Sequence, residues 1–190
     1  LQALQARIRP HFLFNSLNAV LSLVRQEPRR AEQALEDLAD LFRVLMADNR
    51  QLTPIAREVE LAKQYLSIEE LRLGDRLIVE WDTERMPADA LIPPLVLQPL
   101  LENAVYHGIE PRAEPGTVSI RIARDNEQMH LMLRNPYRPD GDHHAGNRMA
   151  LANIRERLAL HFDAEASIKT VAHDDIYEVR IVIPYIKAGR

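Results

Sequence analysis

Polar side chains share one face of the first predicted helix. His11 directly follows Pro10, and Asn15, Asn18 and Ser22 come four, seven and eleven residues after His11. These spacings place side chains on one side of an α-helix. A polar stripe on an apolar helix is costly to bury without partners. The stripe therefore favours either a histidine presented for chemistry, with Asn15 positioning what approaches, or a buried histidine and asparagines that hold helices together.

Pro10 adds a constraint to this stretch. The apolar spacing predicts a helix over residues 2–25, which places the proline inside it. A proline in a helix interior removes a hydrogen-bond donor and costs about 3 kcal/mol. We therefore expect the helix to bend just before His11 and to leave the carbonyl of Ala6 without its usual partner.

A second group of polar residues lies near the middle of the chain. Glu102, Asn103 and His107 fall in a predicted helix that Gly108 closes. Asn103 and His107 are four residues apart and share a face. An asparagine oxygen suits Mg²⁺, an imidazole N–H can donate to a phosphate, and Glu102 adds a carboxylate. By itself the group is a modest indication of a phosphate or metal site, since an amphipathic helix can carry all three residues by chance.

Helices must position the histidine stretch. The three helices predicted for this region cover residues 2–25, 29–48 and 53–73. The second helix has Leu35 and Met46 on its apolar face, which should pack against the first helix as an antiparallel hairpin. Thr53 is expected as the N-cap of the third helix, Pro54 as its first residue and Gly74 as its C-terminal cap.

After Gly74 the apolar spacing changes to the alternation of strands. The predicted strands cover residues 77–82, 117–124, 129–134, 166–172 and 177–185. The predicted helices cover residues 148–162 and the stretch that follows Pro93 and Pro94 and ends at His107. Between them, residues 135–147 form a polar loop that is long enough to suggest a function. The predicted fold class is α+β, with a helical domain over 1–74 and, over 75–190, a mixed, mostly antiparallel sheet covered by helices.

Composition limits the functional class. The chain has 190 residues and a net charge of -4, which does not indicate a nucleic-acid binder. The absence of cysteine excludes disulfides and thiolate metal sites. The sequence contains no run of 18 apolar residues, so it predicts no membrane span. Because the chain begins at Leu1 in the middle of a helical pattern, we expect a fragment of a longer protein whose missing N-terminal part carries membrane helices.

Four segments, taken together and in order, resemble the sensor histidine kinases of the LytS/AlgZ type, with the AlgZ-like branch closest. They read PHFLFNSLN, LTPIAREVELAKQYLSIEELRLGDRL, IPPLVLQPLLENAVYHGI and ALANIRERL, and the resemblance covers nearly the whole chain. It implies the Bergerat fold of the GHKL ATPases, in which ATP lies between helices packed on a sheet and a mobile lid. The implied activity is transfer of the γ-phosphoryl group of Mg-ATP to a histidine, and then to an aspartate of a response regulator.

The resemblance also implies roles for particular residues. His11 matches the phosphoacceptor histidine, and Asn103 matches the Mg²⁺-binding asparagine of the N-box. Glu102, His107 and Gly108 are neighbours of Asn103 in that motif, with Glu102 a candidate catalytic group and the other two candidate nucleotide contacts.

The residues around His11 depart from those of commoner histidine kinases. Those kinases place an acidic residue after the phosphoacceptor, where this chain has Phe12. Arg9 and Asn15 are the nearest polar side chains, and neither is a good base. Asn15 sits where other kinases carry a residue that positions water for dephosphorylation of the partner.

The adenine site differs from the family pattern as well. An Asp-x-Gly motif usually ends the strand, and its aspartate accepts from the adenine amino group. Here the strand ends in Asn135 and Pro136. The amide oxygen of Asn135 can still accept, although it carries no charge.

The glycine motif of the lid is also altered. Gly146 matches its first glycine, whereas Arg148 and Ala150 replace the next two. Side chains at these positions obstruct the approach of backbone N–H groups to phosphates, although Arg148 can bind a phosphate directly. Asn153 lies in the helix that follows the lid, as a further candidate contact.

Three functional classes remain open at this point. The favoured one is an ATP-dependent histidine kinase that forms a homodimer through residues 1–74 and serves a response regulator, with a LytTR-type DNA-binding regulator as one option. The second is a dimeric module that docks a regulator with weak or no use of ATP, and the third is a structural GHKL-like domain. By the resemblance, we expect the cytoplasmic domain of an inner-membrane protein that itself binds no nucleic acid.

Overall fold

The structure is a computed structural model that describes residues 9–47, 50–138 and 144–189. The helices are α1 (Pro10–Leu23), α2 (Pro28–Met46), α3 (Ile55–Leu73), α4 (Leu97–Asn103) and α5 (His144–Phe162). The strands are β1 (Thr53–Pro54), β2 (Leu77–Asp82), β3 (Leu91–Ile92), β4 (Gly116–Asp125), β5 (Gln128–Pro136), β6 (Ser167–His173) and β7 (Ile176–Pro184). None of the helices within the described ranges has the length and apolar character that crossing a bilayer requires.

A five-stranded sheet forms the centre of the C-terminal half. Its strand order is β2-β4-β5-β7-β6, with β2 parallel to β4 and every other pair antiparallel. All five strands lie within a residue or two of their predicted bounds. Residues such as Ile120, Leu131 and Ile181 are buried, whereas alternate positions on the same strands are exposed. The sheet therefore has one covered face and one open face, as expected for an antiparallel arrangement.

The helix that carries His11 begins later than the predicted residue 2. Arg9 has an extended backbone (φ -67°, ψ 125°), and α1 starts at Pro10. At this first position a proline sacrifices no helical hydrogen bond, and its fixed φ suits the helix. The predicted bend before His11 is therefore wrong within the described residues, while residues 1–8 lie outside them.

Helices α1 and α2 form the predicted hairpin across a short turn at residues 24–27. The residues that α2 buries are Ala31, Ala34, Leu38, Leu41 and Leu45. Leu35 and Met46, which we expected on the same face, are exposed. The buried stripe of α2 is thus narrower than its apolar spacing suggests.

The start of α3 also differs from the prediction. Thr53 and Pro54 pair with β3 as a two-stranded antiparallel ladder, and the helix begins at Ile55. The N–H of Ile55 donates to the carbonyl oxygen of Ala90 at 2.7 Å. Thr53 is therefore not an N-cap, because a strand pairing formed by distant residues takes its place.

Left-handed backbone conformations occur where the sequence predicts turns. Gly74 caps α3 at a φ of 57°, and its N–H donates to the carbonyl oxygen of Glu70. Asn126 in the β4–β5 turn and Asp174 and Asp175 in the β6–β7 turn have φ values of 53°, 50° and 62°. These are residue types that tolerate this region. Both hairpin turns and the glycine cap are confirmed.

Helix α4 does not continue as a regular α-helix to Gly108. It is α-helical over Leu97–Asn103 and changes to a wider π-helical turn over Ala104–Ile109. Such π-turns inside helices are rare and often occur at functional sites. The prediction that Gly108 closes the helix is wrong, since Gly108 lies within the π-turn.

The predicted loop over residues 135–147 is shorter in the structure. Strand β5 continues to Pro136, and α5 begins at His144. Gly146 and Asn147 therefore belong to the first turn of α5, which extends the helical face of Leu151 and Ile154 towards the N-terminus. Of the predicted lid, residues 139–143 lie outside the described ranges.

One hydrophobic core joins the helical region to the sheet. It includes Phe12 of α1, Leu66 of α3, Leu101 of α4 and Ile181 of β7. The boundary at residue 74 remains a prediction, since a continuous core does not fix where a domain begins.

Candidate functional site

Buried polar contacts hold the segment that precedes α4. The carboxylate of Glu58, on α3, accepts from the N–H of Leu95 at 2.8 Å. Leu95 has a φ of 59°, a strained value for a leucine. On the other side, Arg157 of α5 donates to the carbonyl oxygen of Pro94 at 2.6 Å. Burial raises the pKa of Glu58, while its backbone hydrogen bonds lower it. These contacts fix the start of the helix that carries Asn103.

The end of the π-turn is tied to α3 as well. Arg72 forms ion pairs with Glu69 at 2.6 Å and with Glu110, just beyond the turn. Glu69 is almost fully buried, and burial raises the pKa of its carboxyl group while Arg72 lowers it. Helix α3 therefore contacts α4 and its continuation at both ends.

Asn103 is buried at the end of α4 with both ends of its amide group engaged. Its Oδ1 accepts from the guanidinium of Arg9 at 2.8 Å, and its Nδ2 donates to Oδ1 of Asn147 at 3.2 Å. The Arg9 guanidinium also lies over the ring of Tyr106, 4.2 Å from its centroid. The segment before α1, the N-box helix and the first turn of α5 therefore meet at one asparagine.

Glu102 lies beside Asn103 in a largely apolar environment. Burial raises its pKa from 4.5 to about 7, although a hydrogen bond from Gln98 and the nearby charge of Arg9 lower it. The Nε2 of Gln98 donates to the Glu102 carboxylate at 3.2 Å. Glu102 can therefore exchange a proton near neutral pH, which an exposed glutamate does poorly.

Gly108 and Asn135 are in close contact below the π-turn. A Cβ atom on Gly108 would lie 2.7 Å from Asn135 Nδ2 and 2.8 Å from the carbonyl oxygen of Pro136, so only a glycine fits. The Nδ2 of Asn135 donates to that carbonyl at 2.8 Å. This contact fixes the orientation of the amide and leaves Oδ1 as an acceptor. Nearby, His107 packs edge-on against the ring of Tyr106, at 4.8 Å between centroids.

The polar stripe of α1 faces outward. His11, Asn18 and Ser22 are exposed, and Asn15 is half-buried. The interpretation of the stripe as a buried histidine and asparagines that join helices is therefore wrong. Phe12 makes the inward contact instead, with its ring 5.1 Å from that of Tyr65 on α3. This packing presents His11 to solvent on a fixed helix.

The candidate residues on α5 lie in its first three turns. Arg148 and Asn153 are exposed, and the backbone of Gly146 is helical. Asn147 is the residue of this helix that reaches Asn103, and its side chain also hydrogen-bonds the hydroxyl of Tyr177. The roles of Gly146, Arg148 and Asn153 in binding a nucleotide remain predictions.

The protein oxygens at this site suit Mg²⁺ only if phosphate oxygens complete its coordination. Among the described residues, no cluster of three or more histidines, aspartates or glutamates could hold a metal ion. Mg²⁺ commonly takes one or two protein oxygens and completes its octahedron with substrate phosphates and water. The Asn103 amide oxygen suits that role, and the acceptor oxygen of Asn135 suits an amino group of a base.

Sequence reasoning missed three participants in this site: Arg9, Tyr106 and Asn147. Arg9 lies 94 residues from Asn103 along the chain, and Asn147 lies 44 residues from it. No local spacing signals contacts at such separations. The nearest signal was the position of Asn147 within the altered glycine motif.

Comparison with known proteins identifies the family. The histidine kinase family model matches residues 1–77. The chain is 35% identical to the sensor histidine kinase YpdA of Escherichia coli over 84% of its own length and 30% of that protein. It is 30% identical to the sensor protein LytS of Staphylococcus haemolyticus over 90% of its length and 33% of that protein. The chain thus spans about a third of the curated relatives it matches.

A solved structure supports the fold. The histidine kinase domain of the Erythrobacter litoralis EL346 blue-light activated histidine kinase matches with a TM-score of 0.51 at 18% identity, covering 95% of this chain and 91% of that one. At this identity the likeness concerns the fold alone, and it confirms the predicted α+β GHKL architecture. From the sequence matches, the chain belongs to the LytS-type family of sensor histidine kinases.

Proposed function

We propose that this chain is the catalytic region of a sensor histidine kinase, which phosphorylates itself on His11 from Mg-ATP and passes the phosphoryl group to an aspartate of a response regulator. The main support is the contact of the His11 segment with the N-box in one chain. Arg9, two residues before His11, hydrogen-bonds Asn103 at 2.8 Å. This contact supports placing the acceptor histidine and the candidate metal ligand in one site.

The proposed chemistry uses His11 as the nucleophile. A nitrogen lone pair of the neutral imidazole forms a bond to the γ-phosphorus, while the bond from that phosphorus to the bridging oxygen of ADP breaks. The imidazole then loses its N–H proton. Glu102 is the candidate acceptor for this proton, because burial places its pKa at about 7.

Two asparagines would hold the nucleotide. Asn103 would provide an oxygen for Mg²⁺, which neutralises charge on the phosphate oxygens. The Oδ1 of Asn135 would accept from the adenine amino group, since its Nδ2 is already engaged with Pro136. Asn15 would position water during dephosphorylation of the regulator. Asn15→Ala should then slow that reaction without affecting labelling of His11.

Labelling with γ-phosphate tests the proposal. Wild-type protein incubated with labelled Mg-ATP should acquire an acid-labile, base-stable phosphoryl group, and His11→Gln should abolish it. His130→Gln is the matched control, because His130 is an exposed histidine on β5. Retention of label in His11→Gln would contradict the assignment of His11.

A docking module without kinase activity is the second candidate. It is favoured by the helical start of α5, which places Gly146 within a helix where a flexible glycine loop would close on phosphates. A folded protein that takes no label and shows no nucleotide-dependent thermal shift, yet binds a response regulator, would establish this alternative. A LytTR-type regulator is the first to test.

We further propose a homodimer through α1 and α2. Phe14, Leu17 and Leu21 of α1, together with Val24 directly after it, are exposed at coiled-coil spacing, with Phe14 at 66% and Leu21 at 68% exposure. Packing two such hairpins as a four-helix bundle would cover this stripe. Sedimentation should show a dimer that Leu21→Glu dissociates. The control is Leu160→Glu on α5, because Leu160 is an exposed leucine (79%) outside this stripe.

We also propose, from the resemblance to sensor histidine kinases, that this region works on the cytoplasmic side of an inner membrane. Fractionation of the full-length protein would test that placement.

A further inference from the structure

The oxygen that the proposed function assigns to Mg²⁺ is already bound to a cationic side chain of the same chain. Arg9 donates to Asn103 Oδ1 at 2.8 Å, and its guanidinium stacks on Tyr106 at 4.2 Å from the ring centroid. The other end of the Asn103 amide donates to Asn147. A rotation of the amide would therefore break two hydrogen bonds, so the side chain is held with Oδ1 towards Arg9.

A guanidinium and a magnesium ion cannot share this position. Mg²⁺ binds oxygen at about 2.1 Å and demands near-octahedral coordination. The guanidinium occupies one of the two lone pairs of this oxygen, and its positive charge repels an ion at the other. We therefore expect metal binding to Asn103 to favour the departure of Arg9.

Arg9 is connected directly to the acceptor histidine. It is the residue before α1, and its carbonyl oxygen accepts from the N–H of Phe12 at 3.0 Å in the first turn. Its side chain thus fixes the start of the helix on which His11 is the second residue. Phe12, packed on Tyr65, holds the same turn from the other side.

We propose that Arg9 is a positioning residue: without nucleotide, its guanidinium takes the place of Mg²⁺ on Asn103 and seats the start of α1 at the nucleotide site of its own chain, and Mg²⁺–nucleotide displaces it. This inference rests on the proposed function for the identity of the ligand. Its consequence is that metal and Arg9 compete for one oxygen.

Calorimetric titration with a non-hydrolysable ATP analogue tests the competition. The measured quantity is the ratio of the dissociation constant in EDTA to that in Mg²⁺. Because Arg9→Gln removes the competing charge, this ratio should rise about five-fold or more, within the usual range of coupling between sites. The rise should come from a lower dissociation constant in Mg²⁺. An unchanged or lower ratio would overturn the proposal, and so would a rise that comes only from weaker binding in EDTA, which would indicate that Arg9 assists phosphate binding.

Arg124→Gln is the matched control. Arg124 also stacks on an aromatic ring, that of Tyr185 at 3.8 Å, and lies on the β4–β5 hairpin away from Asn103. Arg124→Gln should leave the ratio of the dissociation constants in EDTA and in Mg²⁺ unchanged. A general effect of removing a stacked arginine would move both variants equally and would count against the proposal.

Amide hydrogen exchange separates this inference from the proposed function. In the absence of nucleotide, Arg9→Gln and Asn103→Ala should each speed exchange in the first turn of α1 several-fold, and Arg124→Gln should not. If no variant binds nucleotide, the proposed function fails, but faster exchange still supports the seating by Arg9. Unchanged exchange in Arg9→Gln overturns the seating whether or not nucleotide binds.

Discussion

Replacing Glu102 with glutamine should stabilise the protein in a pH-dependent way. Burial raises the pKa of Glu102 from 4.5 to about 7, despite the opposing effects of Gln98 and Arg9. The folded protein therefore binds this proton more tightly than the unfolded chain does. The corresponding stabilisation is fully present below about pH 4.5 and is lost as the pH rises to about 7.

The magnitude follows from the size of the pKa shift. Each pKa unit corresponds to about 1.4 kcal/mol, so ionised Glu102 costs the folded state roughly 3 kcal/mol above pH 7. A glutamine stays neutral at every pH and can still accept the hydrogen bond from Gln98. We therefore expect Glu102→Gln to exceed the wild type by roughly 3 kcal/mol in free energy of unfolding at pH 8, and by little at pH 4.5.

Denaturant unfolding of both proteins at a series of pH values from 4.5 to 8 measures this difference. Glu58 also has a raised pKa, and its titration in both proteins cancels in the comparison. Glu69 interacts coulombically with Glu102, so Glu102→Gln also removes the repulsion between these two carboxylates at high pH. Glu156→Gln, at an exposed position of α5, should change stability by less than about 0.5 kcal/mol at any pH. A difference for Glu102→Gln that is constant with pH, or that grows towards acid, would refute the argument.

Three further substitutions probe the supports of the site. Gly108→Ala should destabilise the protein by about 1–3 kcal/mol in denaturant unfolding, because the Cβ of the alanine would meet the Asn135 amide at 2.7 Å. A variant as stable as the wild type would mean that this contact can relax. Glu58→Ala should lower the free energy of unfolding by about 3 kcal/mol, because the N–H of Leu95 loses its acceptor. Glu58→Gln should lower it less, and equal losses in the two variants would exclude the hydrogen bond as the cause. Phe12→Ala should cost about 3–5 kcal/mol and shift the thermal midpoint downward, as expected for a buried aromatic ring, and a loss under 1 kcal/mol would show that α1 is held by other contacts.

Local patterns in the sequence predict most of the architecture. The strands follow from alternation, because one face of the sheet is buried and the other is open. The turns at Asn126 and Asp174–Asp175 follow from residue types that tolerate positive φ. These features depend on neighbours in sequence, so a single sequence contains the information needed to predict them.

The errors occur where distant residues decide the local structure. Thr53 has the preference of an N-cap, but pairing with β3 overrides it. Gly146 is a residue type that favours loops, yet α5 begins at His144 and includes it. The exposure of Leu35 likewise depends on what faces α2 rather than on the spacing within it.

The candidate site was predictable in its parts but not in its connections. His11, Asn103 and Asn135 could be singled out from residue type and motif. That Arg9 bonds Asn103 across 94 residues could not, because nothing in either local segment specifies the other. The orientation of the Asn135 amide, set by its bond to Pro136, is equally invisible to the sequence.

The attachment of α3 has a mechanical consequence for the site. Helix α3 has 19 residues, which makes it a stiff rod of about 28 Å. Glu58 hydrogen-bonds the segment before α4, and Arg72 forms an ion pair with Glu110 beyond the π-turn. Helix α3 is therefore attached on both sides of Asn103. These contacts hold the backbone around Asn103 in place. A displacement of α1 would therefore move the groups that contact Asn103 much further than it would move Asn103 itself.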